Sequence, residues 1–421
     1  MLKLKFTNQS LSWNKIEIQN TYLFLFSRFF STFGKTIYNF SISLFILYLT
    51  KSGTSFAISL VVGTLPKFLF SFQGGFLADR YNKKNIILCT DLSLGILFGA
   101  LFTYSTFNDI PIFILYLSNF IVGVINAIFN VTMNDSLPNI VGKDKLTPLN
   151  SWLTIATTIP EIIAPIIGGI LYYNNNLKPF LFLAIISNIL SFILDYFIKF
   201  KNSDKIASSS CSNIVSIKEL LNYFSQNHSL LFIIALACLI NFFLAFGYSV
   251  PMPYIVNNYL HMGTSEYGIL QAANTTGALI GALLLPMIAV KKNLMQKLLS
   301  STISIGTIFI IYGFLAKSYM GINKTTLFLI YICLFFLFAF VLISINIPLK
   351  VLLQKNIPEE IRGKSIGLMF SCMSVATPIG QITSGYVINI MPPYLLPIIS
   401  GLFLYIYYLI LRSKTKTEDC L

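Results

Sequence analysis

The stretch Gly74-Gly-Phe-Leu-Ala-Asp-Arg-Tyr-Asn-Lys-Lys84 decides how the rest of the chain is interpreted, because it follows a long apolar segment and carries three cations. Glycine lets two helices approach closely, which we expect of Gly75. Asp79 can pair with Arg80 or cap a helix end across a bundle. The stretch is therefore predicted to join two membrane helices and to hold them in one arrangement, through Gly75, Asp79, Arg80, Lys83 and Lys84. The alternative is a basic loop that only fixes topology.

The composition around this stretch points to a membrane protein. The chain has 421 residues, of which 55% are apolar and 10% charged, whereas a soluble domain carries roughly 25% charged residues. A membrane helix takes about 20 apolar residues, so twelve helices would use roughly 240. We therefore predict an all-α polytopic membrane protein, which disfavours disorder, a secreted scaffold and an ordinary soluble enzyme.

Apolar segments divide the chain into twelve predicted helices in two halves. The halves are residues 1–198 and 230–421, joined by a polar linker, 199–229, in which 217–224 has the apolar spacing of an amphipathic surface helix. The predicted helices cover 22–49, 54–78, 85–105, 111–134, 150–173, 179–198, 230–256, 266–290, 295–316, 326–349, 366–390 and 393–412.

The distribution of cations predicts the orientation. The net charge is +14, which in a soluble protein would suggest nucleic acid. With both termini in the cytoplasm, 22 lysines and arginines fall in cytoplasmic segments and only four, Lys51, Lys178, Lys317 and Lys324, in outer loops. This is a strong positive-inside signal. We therefore predict a multi-pass protein of the cell membrane that contacts the lipid bilayer, and no nucleic-acid partner.

The two halves repeat each other weakly. A loop at 137–143 in the first half corresponds to 357–364 in the second, where the motif residues are Pro358, Glu359, Arg362, Gly363 and Lys364. Each loop leads into a helix in which proline precedes glycine, with Pro165, Gly168 and Gly169 in the first half. Two related halves are typical of transporters, whose substrate site lies between them near the midplane.

These residues carry a family resemblance that covers about 22–411. The stretch 74–84 resembles the loop motif of the major facilitator superfamily, although Asn82 stands where the family has glycine. Asparagine tolerates a left-handed backbone, so we expect the turn to persist. Leu65-Pro66, 137–145 with Asn150, 268–277, Asn346-Ile-Pro348, Gln354 and 357–364 are similar to the macrolide-efflux-like and siderophore-exporter-like branch.

The resemblance implies a function. It implies a proton-coupled exporter, by antiport, of amphipathic small molecules such as macrolide-like drugs, acting as a functional monomer. Pro165, Gly168 and Gly169 resemble the helix 5 motif of family antiporters, with Ile162 and Ala164 where that motif usually has glycine. Export of an anionic metabolite or siderophore, and a passive or proton-coupled importer, remain alternatives.

Ionisable residues inside the helices are the candidates for coupling, because such residues usually face a cavity. Glu161 lies about 17 Å along its helix from Asn150, near the midplane, and is predicted to respond to protons. Lys35 and Lys67 fall at similar depth and are predicted to pair with Glu161 or to bind an anionic group of the substrate. Shallower Arg28 and Asp91 are predicted to form a structural pair, and Asp135 and Asp195 to form interfacial pairs.

A polar stripe on the fourth helix predicts the cavity wall. Asn119, Asn126, Asn130 and Asn134 share one helical face, and asparagine does not suit lipid. The resemblance implies that helices 1, 4, 7 and 10 line the central cavity. The substrate-cavity candidates are therefore Lys35, Tyr38, Asn39, Lys67, Asn119, Asn126, Asn130, Asn241, Tyr248, Ser344 and Asn346.

The sequence offers no basis for an enzyme or an ATP-driven pump. There are two histidines, His228 and His261, and six scattered cysteines, so we predict no metal and no catalytic centre. No Gly-x-x-x-x-Gly-Lys-Ser/Thr loop occurs, and no cofactor is predicted. The loops are too short for a large receptor surface. The predicted partners are a small-molecule substrate and protons.

Overall fold

A computed structural model of the chain describes residues 14–141, 145–172, 176–199, 228–288, 294–356 and 362–418. These residues contain twelve long helices. They are α1 (Lys15–Thr50), α2 (Gly53–Arg80), α3 (Lys83–Phe107), α4 (Ile112–Ile140), α5 (Leu146–Leu171), α6 (Lys178–Phe197), α7 (228–259), α8 (Thr264–Ile288), α9 (Leu294–Lys317), α10 (Lys324–Asn356), α11 (Arg362–Val387) and α12 (Leu395–Glu418). The predicted all-α class is confirmed, and each helix overlaps one predicted segment.

The seventh helix is not regular throughout. It begins as His228–Leu244, passes through a π-helical turn at Ala245–Ser249, continues as Pro251–Tyr254 and ends in a second π-helical turn at Ile255–Tyr259. Such turns widen a helix locally and occur often at functional sites. The linker predicted at 199–229, with its surface helix at 217–224, lies almost entirely outside the described residues.

Among the described residues, seven helical stretches are both long and apolar enough to cross a bilayer, and the twelve-span count stays a prediction. They are Lys83–Phe107, Ile112–Ile140, Leu146–Leu171, Lys178–Phe197, Ala237–Tyr259, Ser300–Lys317 and Lys324–Asn346. Helices α1 and α2 carry Arg28, Lys35 and Lys67 within their lengths, and such residues lower the mean hydropathy. Large apolar side chains such as Ile96, Phe113 and Leu283 are exposed, as a lipid-facing surface requires.

Each helix of the second half packs on partners equivalent to those of the helix six places earlier in the chain. In the first half α2 packs on α4, α3 on α4 and α6, and α1 on α5 and α6. In the second half α8 packs on α10, α9 on α10 and α12, and α7 on α11 and α12. Two pairs of helices pack across the halves, α5 with α8 and α2 with α11. These two pairs are equivalent, because α11 is the counterpart of α5 and α8 is the counterpart of α2. The molecule is thus two pseudo-symmetric six-helix bundles.

Small residues allow the halves to touch at these two crossings. A Cβ at Gly169 of α5 would lie 2.6 Å from the Thr264 carbonyl oxygen and 2.8 Å from Ser265 Cα of α8. A Cβ at Gly53 of α2 would lie 2.9 Å from a methyl carbon of Ile388, just beyond the end of α11. Both crossings are therefore backbone-close contacts that a larger side chain would disrupt.

Candidate substrate cavity and coupling residues

Helices α1, α2, α4 and α5 of the first half line an open polar cavity of about 600 Å³. Seven residues predicted for the cavity or for the response to protons line it: Lys35, Asn39, Lys67, Asn119, Asn126, Asn130 and Glu161. Arg28 and Asn134 also line it. The geometry brings side chains from four helices into one compartment with three cations, one carboxylate and several amides, which is a surface for a charged or strongly polar group.

The asparagine stripe of α4 faces α2 and the cavity. Asn119 is buried, and its side-chain amide donates a hydrogen bond to the Ser59 carbonyl oxygen at 3.1 Å. The Asn126 side-chain oxygen is buried without a hydrogen-bond partner among the described residues. A buried, unsatisfied acceptor is costly unless something fills the site, so Asn126 is an acceptor available to a ligand or water in the cavity.

Lys35 is held on an aromatic face. Its ammonium nitrogen lies 3.5 Å from the centroid of the Phe129 ring, a cation–π contact across α1 and α4. Lys67 and Glu161 are exposed to the open space of the cavity. Phe129 was not singled out in the sequence; its position one residue before Asn130 was the available signal.

A second cavity of about 480 Å³ adjoins the first and reaches the second half. Glu161 and Asn39 line both cavities, together with Thr36, Ser43 and Leu60. The second-half wall includes Tyr248, Tyr267, Gln271, Thr275 and Gln381. Glu161 therefore stands where the two compartments meet, and Tyr267 and Gln271, one turn apart on α8, are wall residues that the sequence analysis missed.

An aromatic cluster surrounds Tyr248, which lies in the first π-helical turn of α7. The centroid of its ring is 4.1 Å from that of Phe338 and 5.5 Å from that of Phe335. Phe309 and Tyr312 lie farther out, at 6.4 and 6.3 Å. The two adjoining cavities are thus lined by polar and charged side chains in the first half and by the edge of a packed aromatic cluster in the second.

Four residues predicted for the cavity lie elsewhere. The Tyr38 side chain is buried in the core, where its hydroxyl donates to Ser118 Oγ at 2.8 Å and its ring packs on Phe98. Asn241 donates its amide to the Ala237 carbonyl oxygen of its own helix at 3.0 Å. Ser344 and Asn346 line neither of the two cavities.

A buried charged network lies behind the cavity wall. Arg28 pairs with Asp195 of α6, not with Asp91 as the sequence analysis expected. Both acids lie at similar depth on neighbouring helices, and the packing of α1 on α6 selects Asp195. Asp91 accepts a hydrogen bond from Ser191 Oγ instead, at 2.9 Å.

The basic residues of 74–84 tie helix ends together within the first half. Lys83 pairs with the Asp135 carboxylate of α4 at 2.7 Å, and Lys84 Nζ donates to the Tyr196 and Ile198 carbonyl oxygens at 2.7 and 2.8 Å. Arg80 lies over the Phe76 ring at 4.3 Å. The interfacial role expected of Asp135 matches this ion pair.

The chain turns between α2 and α3 as expected, but without a left-handed residue at Asn82, and the close helix approach expected at Gly75 is wrong. Asn82 is extended, with φ −64°, and its side chain caps α3 by accepting the Lys84 backbone N–H at 3.0 Å; a left-handed turn is not needed because asparagine caps the helix instead. The close helix approach falls on Gly74, where a Cβ would lie 3.0 Å from Ile128 Cα, whereas at Gly75 the nearest atom is 4.0 Å away. The Asp79 side chain lies outside the described part of the chain.

The second-half loop motif is described only in part. Pro358 and Glu359 lie outside the described residues. Arg362 begins α11, followed by Gly363 and Lys364 in its first turn, and their side chains are not described.

The helix 5 motif contacts α1 of its own half and α8 of the second half. A Cβ at Gly168 would lie 2.7 Å from a ring carbon of Phe40 on α1. Gly169 accepts hydrogen bonds at its carbonyl oxygen from the Ser265 and Thr264 hydroxyls, at 2.9 and 3.4 Å. Pro165 lines the second cavity four residues after Glu161.

A polytopic helical protein with two related halves around a central polar cavity has the architecture of a secondary transporter. The family model described as Major Facilitator Superfamily matches residues 24–381. The chain belongs to this superfamily of membrane transporters, and it is a transporter rather than an enzyme.

Two curated relatives that are similar to this chain are named as an efflux protein and an exporter. Macrolide efflux protein A of Streptococcus pyogenes is 25% identical over 350 residues, which cover 80% of this chain and 82% of that protein. Enterobactin exporter EntS of Citrobacter koseri is 24% identical over 386 residues, which cover 91% of this chain and 89% of that protein. A crystal structure of the nucleoside transporter NupG has a TM-score of 0.73 at 13% identity, covering 94% of this chain and 99% of that one; this likeness concerns the fold.

Proposed function

We propose that this chain is a proton-coupled exporter that works by antiport on amphipathic small molecules of the macrolide-like class. One observation carries the proposal: the charged cavity of the first half and the aromatic-edged cavity of the second share Glu161 and Asn39. An amphipathic molecule has a polar part that fits the first wall and an apolar part that fits the second. Similarity to a macrolide efflux protein supports the same class.

Glu161 is proposed as the proton-responsive residue. It is the carboxylate that lines both cavities, so a proton on it and a substrate beside it act on the same space. Competition between them would give exchange of one for the other. Lys35 and Lys67, on the same wall, are proposed to read the charge of the substrate.

The remaining motif residues are proposed to control conformational exchange. Lys83 and Lys84 tie α3 to the ends of α4 and α6, and we infer that Asp79 and Arg80 belong to the same latch, with Gly74 in place of Gly75 at the close helix contact. Pro165, Gly168 and Gly169 are proposed to act where the halves cross. Pro358, Glu359, Arg362, Gly363 and Lys364 are proposed as the equivalent loop of the second half.

We place the protein in the cell membrane with both termini in the cytoplasm, as a functional monomer, divided into 1–198, a linker 199–229 and 230–421. In this orientation the crossings at Gly53 and Gly169 fall toward the outer surface, so that the halves are closed on the outside. The placement is tested with cysteines at Asn323 and Tyr81, both exposed. An impermeant thiol reagent added outside should label the first and not the second.

A second candidate is export of an anionic metabolite or a siderophore, and it is favoured by the charge of the first cavity. Arg28, Lys35 and Lys67 oppose Glu161 as the only acid among the residues described on that wall. A net positive wall attracts anions, and an enterobactin exporter is among the relatives. A passive or proton-coupled importer has the same architecture.

Transport by the purified protein in proteoliposomes decides between these functions. Uptake into inside-out vesicles is measured with and without an imposed proton gradient, over lipophilic cations, macrolides and anionic chelators. Gradient-driven accumulation of macrolides supports the first proposal. Accumulation restricted to anionic chelators supports the second. Equal movement in both directions with no response to the gradient identifies a passive carrier.

A further inference from the structure

Four acidic and basic side chains lie near one another in the first half, two of them in the cavity wall and two behind it. Arg28 and Lys35 come from α1, Asp91 from α3 and Asp195 from α6. Arg28, Asp91 and Asp195 are 3%, 1% and 2% exposed. Charges this deeply buried require compensation by partners, because their removal from water is costly.

A continuous hydrogen-bond chain joins the two acids. Arg28 Nη2 pairs with the Asp195 carboxylate and donates to Ser27 Oγ at 2.7 Å. Ser27 Oγ lies 3.1 Å from Ser191 Oγ, which donates to Asp91 Oδ2 at 2.9 Å. The chain connects α1, α6 and α3 through two serine hydroxyls.

The two acids are compensated unequally. Asp195 has a direct ion pair with Arg28. Asp91 has one hydroxyl donor at Oδ2, and its Oδ1 is buried without a hydrogen-bond partner among the described residues. Among the described residues, no lysine or arginine nitrogen lies within the 4.0 Å of the Asp91 carboxylate that an ion pair requires. An ionised carboxylate in this setting would be poorly stabilised, whereas a neutral carboxylic acid needs no counterion.

We propose that Asp91 is a proton-binding site, that it is occupied in the conformation described here, and that Arg28 sets its occupancy by pairing with Asp195. On release, the Asp91 O–H bond breaks, the proton passes to water, and the carboxylate turns to the Arg28 Nε and Nη1 groups, which are buried without partners in this conformation. The proposal goes beyond the proposed function, since it concerns protonation and holds for any substrate.

The charges around Asp91 determine how a ligand would shift this equilibrium. The charged groups that act on it are Arg28 and Lys35 from α1 and Asp195 from α6. With the proton bound the four groups carry one net positive charge, and without it none. Arg28 and Lys35 also line the cavity, so a cationic ligand there favours proton release and an anionic ligand favours proton retention.

Two substitutions of the same type test the proposal in the full-length protein in lipid. Asp91→Asn replaces a neutral acid by a neutral amide of the same shape, so thermal stability at neutral pH should stay at the wild-type value. Asp195→Asn leaves Arg28 buried without its counterion and should lower the unfolding temperature by several degrees. If Asp91→Asn is as damaging as Asp195→Asn, Asp91 is ionised and the proposal is overturned.

Infrared difference spectroscopy between neutral and alkaline pH gives an independent measurement. Wild-type protein should lose the C=O stretch of a buried carboxylic acid at alkaline pH, and Asp91→Asn should lack that band. Ser191→Ala should shift the band, because Ser191 donates to the Asp91 carboxyl. Asp109→Asn, at an exposed position, is the control and should change nothing. A spectrum that none of the Asp91 or Ser191 variants alters would overturn the assignment.

Discussion

The two halves of this transporter pack their helices in the same pairs but fill their interiors with different chemistry. Every buried acidic or basic side chain among the described residues lies in the first half, at Glu17, Arg28, Asp91 and Asp195. The corresponding interior of the second half holds a ring cluster, linking Tyr248, Phe309, Tyr312, Phe335 and Phe338. The two halves therefore share one arrangement of helices and differ in their buried side chains, which are charged in the first half and aromatic in the second.

The largest effect expected from this division concerns proton coupling. Glu161→Gln should reduce gradient-driven transport by roughly 5- to 150-fold, the usual range of a coupling free energy. It removes the carboxylate that, among the residues the structure describes, lines both cavities. Transport should also lose its pH dependence, while equilibrium substrate binding persists. The measurement is uptake into proteoliposomes at several imposed gradients.

Glu266→Gln is the matched control in the second half, because Glu266 lines neither of these two cavities. It should leave the response to the gradient at the wild-type level. If Glu161→Gln keeps full gradient-driven transport with an unchanged pH profile, coupling resides elsewhere, and Asp91 is the next candidate.

A smaller effect is expected on the preference of the first half for anionic over cationic substrates. Lys35→Met removes the ammonium that lies on Phe129 and faces the cavity, with little change in side-chain length. The ratio of affinities for anionic and cationic analogues of equal size should shift toward the cation by roughly tenfold, which is about 1.4 kcal/mol. Competition binding measures this ratio. Lys317→Met, at an exposed position outside both cavities, should leave it unchanged, and an equal shift in both variants would refute a local role.

The aromatic second half should discriminate substrates by the size of their apolar part and not by their charge. Tyr248→Leu removes the ring that lines the second cavity and stacks on Phe338. Affinity for ring-bearing lipophilic substrates should fall by roughly two- to tenfold, since such ring contacts contribute about 0.5–1.5 kcal/mol. The anion-to-cation ratio should not move. Phe314→Leu, at an exposed position on α9, controls for a general loss of aromatic surface.

The sequence predicted the helices better than the site, for physical reasons. Hydropathy shows where a chain leaves the lipid, and a helix can continue beyond that point. The fourth helix was predicted at 111–134, but it continues to Ile140 through residues that face water or other helices. The spacing of the α4 asparagines and the depth of Glu161 placed them on the cavity wall, because a helix fixes both face and rise.

Other site residues depended on tertiary packing. Tyr38 and Asn39 were both assigned to the cavity, but neighbours on a helix point roughly 100° apart, and only Asn39 lines it. Arg28 could have paired with Asp91 or Asp195, and only the contact of α1 with α6 decides. In the second half, the family resemblance suggested Asn241 and Asn346, whereas the wall comes largely from Tyr248 and from α8.

The smallest expected effect compares one buried tyrosine hydroxyl from each half. The Tyr38 hydroxyl donates to Ser118 Oγ at 2.8 Å, whereas the Tyr312 hydroxyl is buried without a partner among the described residues. Tyr38→Phe should therefore lower the free energy of unfolding by about 1 kcal/mol. Tyr312→Phe removes an unsatisfied polar group and should leave stability unchanged or raise it by up to about 1 kcal/mol.

Thermal unfolding of both variants in the same detergent measures the difference, and the double variant tests whether the two effects add, as effects at separate sites should. Both tyrosines are at most 1% exposed, so the substitutions differ in hydrogen bonding and not in the area they bury. Equal destabilisation by Tyr312→Phe would mean that its hydroxyl is satisfied, for instance by water inside the second half. The interior of that half would then be wetter than its ring packing indicates, and the contrast between a charged half and a dry aromatic half would not hold.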